Sequence, residues 1–345
     1  MTFPTALPPS TATPLRGGPT LRWGVLAPGG IANDWVTTLH ANSDQRVVAV
    51  GSRSAERGAA FAAEHGIPRS YDSYEALVGD PEVDIVYISA PHSHHRTLAL
   101  LAIAAGKHVL VEKPIALSAA EAREIVAAAR AAGVFAMEAM WTRFLPQSTV
   151  MRTLLDDGVL GEIHSVTAEL GFAFPEEHEG RMYNPELGGG GVLDLGVYPV
   201  WFAHFALGAP SSVHTFGTLA STGVDAQAAI GLEYGSGVQA QLTVSMLAET
   251  RNGASIAGSA ARIDIDPLFI APTTFSLTGG EGERLDWSDP EAFPFWRDGL
   301  AWQAAAVAKH VSDGLTEAPE HPLEQTIAQL ETIDSVRTQL GYPPA

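Results

Sequence analysis

From about residue 20 to residue 140, the chain alternates short apolar runs with segments that carry apolar side chains at helical spacing. The predicted strands cover residues 21–27, 46–52, 83–89, 109–111 and 134–139, and the predicted helices cover residues 56–65, 74–78, 96–105 and 119–132. Runs this uniformly apolar are typical of strands buried on both faces of a parallel sheet. The alternation therefore predicts an α/β domain over residues 21–143, with a doubly wound parallel sheet and right-handed crossovers.

From Gly161 onward the residues alternate between polar and apolar, which predicts a second α/β domain over residues 144–345. Its predicted strands cover residues 163–172, 213–217, 226–234, 238–245, 262–265 and 274–278, with a hairpin turn at residues 234–237. We expect a large, mostly antiparallel, open-faced sheet. One face should pack on helices at residues 150–155, 193–206 and 302–313, and the other, rich in small and apolar residues, is a candidate subunit interface. A last helix is predicted at residues 323–340, and the C-terminal helices are expected to return toward the first domain.

The charge balance restricts the possible partners. With 39 acidic and 20 basic residues, the net charge of −19 disfavours nucleic acid and anionic membrane surfaces. The absence of cysteine excludes disulfides and thiolate metal sites and fits a reducing cytoplasm. Residues 1–20 are rich in proline, threonine and serine without the apolar segment of a signal peptide, so they are either disordered or an arm laid across a neighbouring subunit.

The first strand runs into a glycine-containing turn and then a helix. In a dinucleotide fingerprint this order lets backbone amides and the helix N-terminus hold a pyrophosphate. The turn residues expected to contact a cofactor are Ala27, Pro28, Gly29, Gly30, Ile31 and Ala32. The usual first glycine is replaced by Ala27, which can still make the tight turn if its φ stays negative. The alternative is a plain strand-to-helix turn.

The tip of the second strand indicates which dinucleotide is preferred. An acid at this place binds the ribose 2′-hydroxyl of NAD, whereas an arginine accommodates the 2′-phosphate of NADP. This chain offers Ser52, Arg53 and Arg57 and no acid at the strand tip. We therefore expect a preference for NADP, with an exposed arginine at a helix start as the alternative.

Polar residues also follow the later parallel strands, where ligands bind in such sheets. Ala90, Pro91, His92 and His95 follow the third predicted strand, Glu112 and Lys113 the fourth, and Trp141 and Arg143 the last. We expect these residues to line the cofactor site. A metal is disfavoured, because no cysteine is present and no carboxylate follows the histidines at ligand spacing. The alternatives are a solvated Glu–Lys pair at the strand exit and an interdomain hinge whose Trp141 is core.

A glycine-rich turn at residues 188–191 precedes a predicted helix on which Asp194 and Tyr198 share a face. A carboxylate and a phenol on one face suit proton transfer when a cation stabilises the phenolate, and Lys113 is a candidate for that cation. The alternative is a buried Tyr–Asp hydrogen bond that supports the core.

Taken together, residues 24–32, 90–95, 112–114 and 188–199 resemble the Gfo/Idh/MocA family of nicotinamide oxidoreductases, and the likeness spans nearly all of residues 21–342. The stretch 137–146, together with Tyr198, is most similar to the branch of dimeric dihydrodiol dehydrogenases and NADP-dependent D-xylose dehydrogenases. The resemblance implies a Rossmann domain, an open-faced sheet used in dimerisation (a homodimer or a dimer of dimers), and no metal. It also implies that Lys113 and Tyr198 contact the oxygen of the reacting carbon.

The expected activity is hydride transfer between NADP, or possibly NAD, and a hydroxyl or carbonyl carbon of a sugar, polyol or cyclic trans-diol. In this hypothesis Tyr198 is the general acid/base, Lys113 lowers the pKa of the tyrosine, and Asp194 positions substrate and tyrosine. Two alternatives stay open at this point: a glycosidase of the same superfamily that keeps its nicotinamide bound, and a non-catalytic NADP(H)-binding regulatory protein.

Overall fold

The computed structural model describes residues 3–289 and 295–341. These residues form two compact units. The first unit contains residues 12–144 and 295–327, and the second contains residues 3–11, 145–289 and 328–341. Among the described helices, none combines the length and the apolar character needed to cross a bilayer.

The first unit is built on a parallel sheet of six strands, as the sequence predicts. Its strands are β1 (Arg22–Leu26), β2 (Arg46–Gly51), β3 (Arg69–Tyr71), β4 (Ile85–Ile88), β5 (His108–Glu112) and β6 (Ala136–Ala139), in the order β3-β2-β1-β4-β5-β6. The connecting helices are α1 (Gly30–Asn42), α2 (Ala55–His65), α3 (Tyr74–Val78), α4 (His95–Ala104) and α5 (Ala119–Ala132). Strand β3 was not predicted, because its three residues, Arg-Ser-Tyr, form no apolar run.

Serine side chains set the starts of three of these helices. Ser54, Ser73 and Ser118 each accept a hydrogen bond from a backbone amide in the first turn of α2, α3 and α5. Helix α1 differs, because its N-cap residue, Gly29, has no side chain that can accept such a bond. The first amides of α1 are therefore left for another acceptor.

The second unit contains a sheet of eight strands. They are β7 (Ile163–Gly171), β8 (Ser212–Leu219), β9 (Asp225–Glu233), β10 (Gln239–Ser245), β11 (Ala254–Gly258), β12 (Ala261–Ile265), β13 (Phe275–Gly279) and β14 (Arg284–Trp287), in the order β14-β13-β12-β11-β7-β10-β9-β8. Only β7 and β10 pair in parallel among these strands, so the expectation of a mostly antiparallel sheet is confirmed. Strands β11 and β14 were not predicted, since β11 has only one large apolar residue, Ile256, among small ones, and β14 is short and largely exposed.

One face of this sheet is covered by helix. Alternate residues of β7 and β10 are buried, and α7 (Val197–Leu207) packs against these two strands. The opposite face carries small side chains, but they are mostly polar, as at Thr167, Gln241 and Ser255, so the expectation of an apolar face is wrong. Phe216 of β8 lies on this face and is 78% exposed.

The remaining helices are α6 (Pro146–Asp156), α8 (Leu300–Ser312) and α9 (Leu323–Gln339). Helix α8 was expected to cover the antiparallel sheet. Instead it belongs to the first unit, where it packs against α1 and the 3₁₀ turn Trp141–Phe144. The helix is rich in alanine and buried almost all round, so its sequence does not specify a single packing face.

The N-terminal tail has no helix or strand over residues 3–20, yet it makes specific hydrogen bonds. In the second unit, the hydroxyl of Thr149 bonds to Ser10 and Thr11, each at 3.0 Å. In the first unit, the amide of Gly17 donates to Asp44 Oδ2 at 2.7 Å, and Arg16 donates to the carbonyl of Ala41 at 2.7 Å. Residues 3–20 thus make hydrogen bonds within their own chain, and the disordered or arm-like tail expected from the sequence stays a prediction.

Candidate active site

The turn after β1 contains an alanine in a conformation that favours glycine. The amide of Ala27 donates to the carbonyl of Gly51 at the end of β2, at 3.0 Å, and Ala27 has φ = +60°. The condition for alanine in this turn, a negative φ, is therefore not met. The cross-strand bond holds an L-residue in the left-handed region, where a Cβ is disfavoured.

The two glycines that follow leave a space beside the start of α1. Gly29 has an extended backbone, and a Cβ built on it would lie 4.0 Å from its nearest neighbour, the carbonyl oxygen of Ala27. A Cβ on Gly30 would meet no atom within 4 Å. Neither glycine is required by contacts with the protein, and the adjacent helix start has no side-chain cap. This arrangement fits the phosphates of a dinucleotide.

The tip of β2 borders a cavity of about 430 Å³, a size typical of ligand pockets. Its lining residues are Arg53, Tyr74, Glu75, His94, Thr97, Leu98 and Leu101. Arg53 and Arg57 are both exposed, whereas Ser52 is buried and accepts a hydrogen bond from the amide of Ser54 at 3.2 Å. Tyr74 and Thr97 were not predicted to line a site, because each lies on a helix without a recognisable motif. His94 was not among the predicted contacts either, although it belongs to the histidine cluster at residues 92–95.

His95 joins the loops that follow β4 and β5. Its Nε2 lies 2.8 Å from the carbonyl oxygen of Ala90, and its Nδ1 lies 2.8 Å from that of Pro114. Burial and the neighbouring His92 lower the pKa of His95 to about 3, so the ring is neutral and donates through one nitrogen. His95 is fully buried between these two loops and holds them together, and its predicted contact with a cofactor stays a prediction.

Glu112 likewise acts within the protein. Its Oε1 accepts the hydroxyl of Tyr87 at 2.5 Å, and its Oε2 accepts the backbone amide of Lys113 at 3.2 Å. The carboxylate is buried, while Lys113 is only partly buried and is joined to Pro114 by a cis peptide bond. Glu112 therefore fixes the backbone from which the Lys113 side chain extends.

A second buried carboxylate, Glu138 of β6, was not assigned a role from the sequence. Its Oε1 accepts the amide of Ile115 at 2.9 Å, and its Oε2 lies 3.0 Å from Nε2 of His321. Both side chains are almost completely buried. This pair ties the loop after Lys113 to the segment before α9.

Trp141 and Arg143, predicted to line the cofactor site, are both buried in the first unit. The Trp141 ring lies 6.1 Å from that of Trp296 between centroids, and Arg143 Nε donates to the carbonyl of Glu320 at 2.8 Å. These contacts agree with the alternative in which Trp141 is part of a core.

In the second unit, Asp194 and Tyr198 lie on a helical segment that differs from the α-helix predicted over residues 193–206. The segment begins with a π-helical turn, Val192–Gly196, and α7 follows from Val197. Pro199 lacks the amide that would bond to the carbonyl four residues earlier, which accounts for the irregular turn. Both Asp194 and Tyr198 are buried.

The carboxylate of Asp194 is bound by an arginine that sequence analysis missed. Arg181 Nη1 donates to Oδ1 at 2.6 Å and Nη2 donates to Oδ2 at 3.2 Å, a bidentate pair. The Arg181 side chain is about half exposed. Asp194 therefore holds a guanidinium in a fixed orientation, and no sequence motif joins the two residues.

Among the described residues, no group of three or more His, Asp or Glu side chains is arranged to hold a metal ion.

A doubly wound parallel sheet whose first turn leaves an open cradle at a helix N-terminus defines the class of dinucleotide-binding oxidoreductases with a Rossmann fold. The model of the oxidoreductase family with an NAD-binding Rossmann fold matches residues 21–140. The model of the GFO/IDH/MocA C-terminal domain matches residues 149–264. The chain belongs to the GFO/IDH/MocA family of oxidoreductases.

The relatives extend over nearly the whole chain. Trans-1,2-dihydrobenzene-1,2-diol dehydrogenase of Mus musculus is 37% identical over 329 residues, which cover 93% of this chain and 97% of that protein. A 3-ketoreductase from Actinomadura kijaniata, solved with NADP and TDP-benzene, is 29% identical with a TM-score of 0.80 over 94% of this chain and 100% of that one. Aldose-aldose oxidoreductase from Caulobacter crescentus is 23% identical with a TM-score of 0.82 over 93% and 97% of the two chains, which shows the shared fold.

Proposed function

We propose that this protein is an NADP-dependent dehydrogenase that oxidises a CH–OH group of a sugar, polyol or cyclic trans-diol, or reduces the corresponding carbonyl. The single observation that carries the proposal is the anion cradle at Gly29 and Gly30, which opens at the uncapped start of α1. Relatives named as a diol dehydrogenase and a 3-ketoreductase support the substrate class.

The preference for NADP rests on Arg53. Its side chain lines the 430 Å³ cavity beside the tip of β2, together with Tyr74 and His94, which can flank an aromatic base. A guanidinium matches the two acceptor oxygens of a 2′-phosphate. The Actinomadura kijaniata 3-ketoreductase was solved with NADP.

Arg53→Ala should raise the KM for NADP much more than the KM for NAD, because only NADP carries the 2′-phosphate. Initial rates with both dinucleotides measure the two constants. Arg46→Ala, at the opposite end of β2, is the matched control, since its guanidinium donates to the carbonyls of Ser43 and Gln45. Equal effects of Arg53→Ala on both dinucleotides contradict the 2′-phosphate assignment.

Proton transfer is assigned to Tyr198. When bound, the nicotinamide cofactor accepts or gives the hydride. In the proposal, Tyr198 takes the hydroxyl proton of the substrate, and Lys113 stabilises the phenolate and orients the same hydroxyl. Asp194 positions the substrate through Arg181. The arginine is the more exposed member of the bidentate pair, so it is the side chain that can contact the substrate. A neutral Asp–Arg pair suits an uncharged hydroxyl-bearing substrate.

Tyr198→Phe tests this assignment. A positioned acid/base is worth about 10²–10⁴-fold in rate, so turnover should fall by about that factor while NADPH binding is retained. Tyr183→Phe removes a hydroxyl from another buried tyrosine of the same unit, which donates to the carbonyl of Phe174 at 3.2 Å, and should keep its turnover. A screen of NADP⁺ reduction over aldoses, inositols and cyclic diols supplies the substrate, and near-normal turnover of Tyr198→Phe overturns the role.

The proposal extends to assembly and location. We propose a cytoplasmic homodimer that pairs through the exposed face of the eight-stranded sheet, where Phe216 is 78% exposed. The absence of cysteine is compatible with a reducing compartment. Sedimentation velocity should show a dimer that Phe216→Glu weakens, and a monomeric wild-type protein contradicts this part of the proposal.

A further inference from the structure

Asp225, the first residue of β9, contacts the helical segment that carries Asp194 and Tyr198. Its Oδ2 accepts the backbone amide of Val192 at 2.6 Å, and the amide of Gly191 is near enough to favour the charged form of this carboxylate. Asp225 is 33 residues away in sequence from Val192 and is 1% exposed. The bond therefore connects the start of the helical segment to the sheet beneath it.

The strand that carries Asp225 is firmly held. The carbonyl of the next residue, Ala226, accepts the amide of Met246 at 2.7 Å, just beyond the end of β10. β10 pairs with residues 227–233 of β9, and Asp225 itself pairs with Leu219 of β8. A carboxylate on this strand consequently provides a fixed acceptor for the start of a helix, whose first amides have no partner within the helix.

The space around the helix start is closely fitted to this contact. A Cβ built on Gly191 would lie 3.3 Å from Asp225 Oδ2 and 3.2 Å from Met246 Cγ. The glycine allows the backbone to approach the carboxylate, and the amide of Asp194 then donates to the carbonyl of Gly190 at 3.2 Å. The contact at Asp225 thus sets the position of the turn on which Asp194 lies.

Asp225 places a carboxyl group, rather than a neutral cap, at this helix start. Serine or asparagine can cap helix amides without the cost of burying a charge. Burial raises the pKa of Asp225, whereas the amides of Val192 and Gly191 and the nearby Arg337 of α9 favour the charged form. These interactions with the charged form offset only part of the cost of burying the carboxylate, since the net effect is a raised pKa.

We propose that Asp225 is a positioning residue, which holds the helix start at Gly191 and Val192 so that Asp194 and Tyr198 keep their working positions. The inference rests on the proposed function, because it assumes that these two side chains act on substrate. It assigns to Asp225 no contact with substrate or cofactor.

The experiment compares Asp225→Ala with Asp225→Asn in the full chain by steady-state kinetics and by hydrogen exchange of residues 190–198. Asp225→Ala should speed exchange in this segment and lower kcat by about ten-fold or more, with the KM for NADP within about two-fold of wild type. Asp225→Asn keeps one acceptor oxygen and should recover part of both losses.

Asp80→Asn is the matched control for loss of a buried carboxylate. Asp80 lies in the first unit, where Oδ1 accepts the amide of Glu82 at 2.8 Å and Oδ2 accepts the hydroxyl of Tyr71 at 3.0 Å. This variant should lose thermal stability and keep kcat and the exchange of residues 190–198.

The outcomes separate the two proposals. Unchanged hydrogen exchange at residues 190–198 in Asp225→Ala overturns the positioning role. The role is also overturned if Asp80→Asn lowers kcat as much as Asp225→Ala does. If Asp225→Ala does not fold, faster exchange in Asp225→Asn decides the same question. If the wild-type protein oxidises no substrate, the proposed function fails, and the exchange measurement still decides whether Asp225 holds the segment.

Discussion

Ala27→Gly should stabilise the protein, although alanine is normally the better residue for stability. Ala27 has φ = +60°, where an L-residue costs roughly 1–2 kcal/mol more than glycine. Glycine also gives the unfolded chain more conformational freedom, which reduces the stabilisation by about 0.4–1 kcal/mol. The net expectation is a stabilisation of about 0.5–1 kcal/mol in the first unit.

Equilibrium unfolding in urea, followed by tryptophan fluorescence, measures this difference. Trp23 and Trp35 are suitable reporters, because both are fully buried in the same unit and their rings lie 5.1 Å apart between centroids. The KM for NADP should stay within about two-fold of wild type, since the substitution removes one methyl group and keeps the bond from residue 27 to Gly51.

Ala32→Gly is the control, because it should lower the free energy of unfolding where Ala27→Gly should raise it. Ala32 is buried in α1, where glycine costs about 1 kcal/mol relative to alanine. If Ala27→Gly destabilises the protein as Ala32→Gly does, residue 27 does not adopt the left-handed conformation, and the explanation of the missing first glycine is wrong.

Three further predictions follow from the two units. Gly29→Val should fold normally, because the backbone is extended and the added Cβ has space. It should nevertheless raise the KM for NADP by about ten-fold or more, because the valine side chain occupies the space assigned to the phosphates. An unchanged KM contradicts phosphate binding at Gly29 and Gly30. Arg181→Gln should impair the reaction with polyols and leave NADPH titrations unchanged, because it removes the guanidinium from the buried carboxylate of Asp194. Arg284→Gln, which breaks an exposed pair with Asp286 in the same unit, should leave both unchanged. Burial raises the pKa of Asp225 to about 7, above roughly 3.9 in the unfolded chain, so its stabilisation is complete below about pH 4 and is lost as the pH rises through 7. Asp225→Asn should abolish this slope in urea titrations, and an identical slope in both proteins contradicts the shift.

The helices and strands predicted from the sequence are those that their own residues and immediate neighbours specify. The parallel sheet was predicted because β1, β2, β4 and β5 are each nearly continuous apolar runs, and α5 was predicted at its observed bounds because a serine precedes it and a glycine ends it. The three-residue β3 has no pattern of its own, and it forms because β2 offers it a neighbouring edge.

The site residues that were missed depend on partners distant in sequence. Glu138 and His321 are 183 residues apart, and Asp194 is paired with Arg181 from a loop. The conformation of Ala27 follows from a bond to Gly51, a contact that exists only once β1 and β2 are paired. Periodicity and spacing report on neighbours within a few residues, so such contacts have no signature in a single sequence.

The position of β7 has a consequence for how the second unit assembles. This strand lies between β10 and β11, while β8–β10 and β11–β14 are two series of neighbouring antiparallel strands. Each series can form from contacts close in sequence, but β7 must wait for chain that is synthesised some 70 residues later, because its neighbour β10 begins at Gln239. During synthesis both edges of β7 are therefore unpaired. Once β7 has emerged from the ribosome and before β10 follows, the nascent chain is exposed to intermolecular strand pairing.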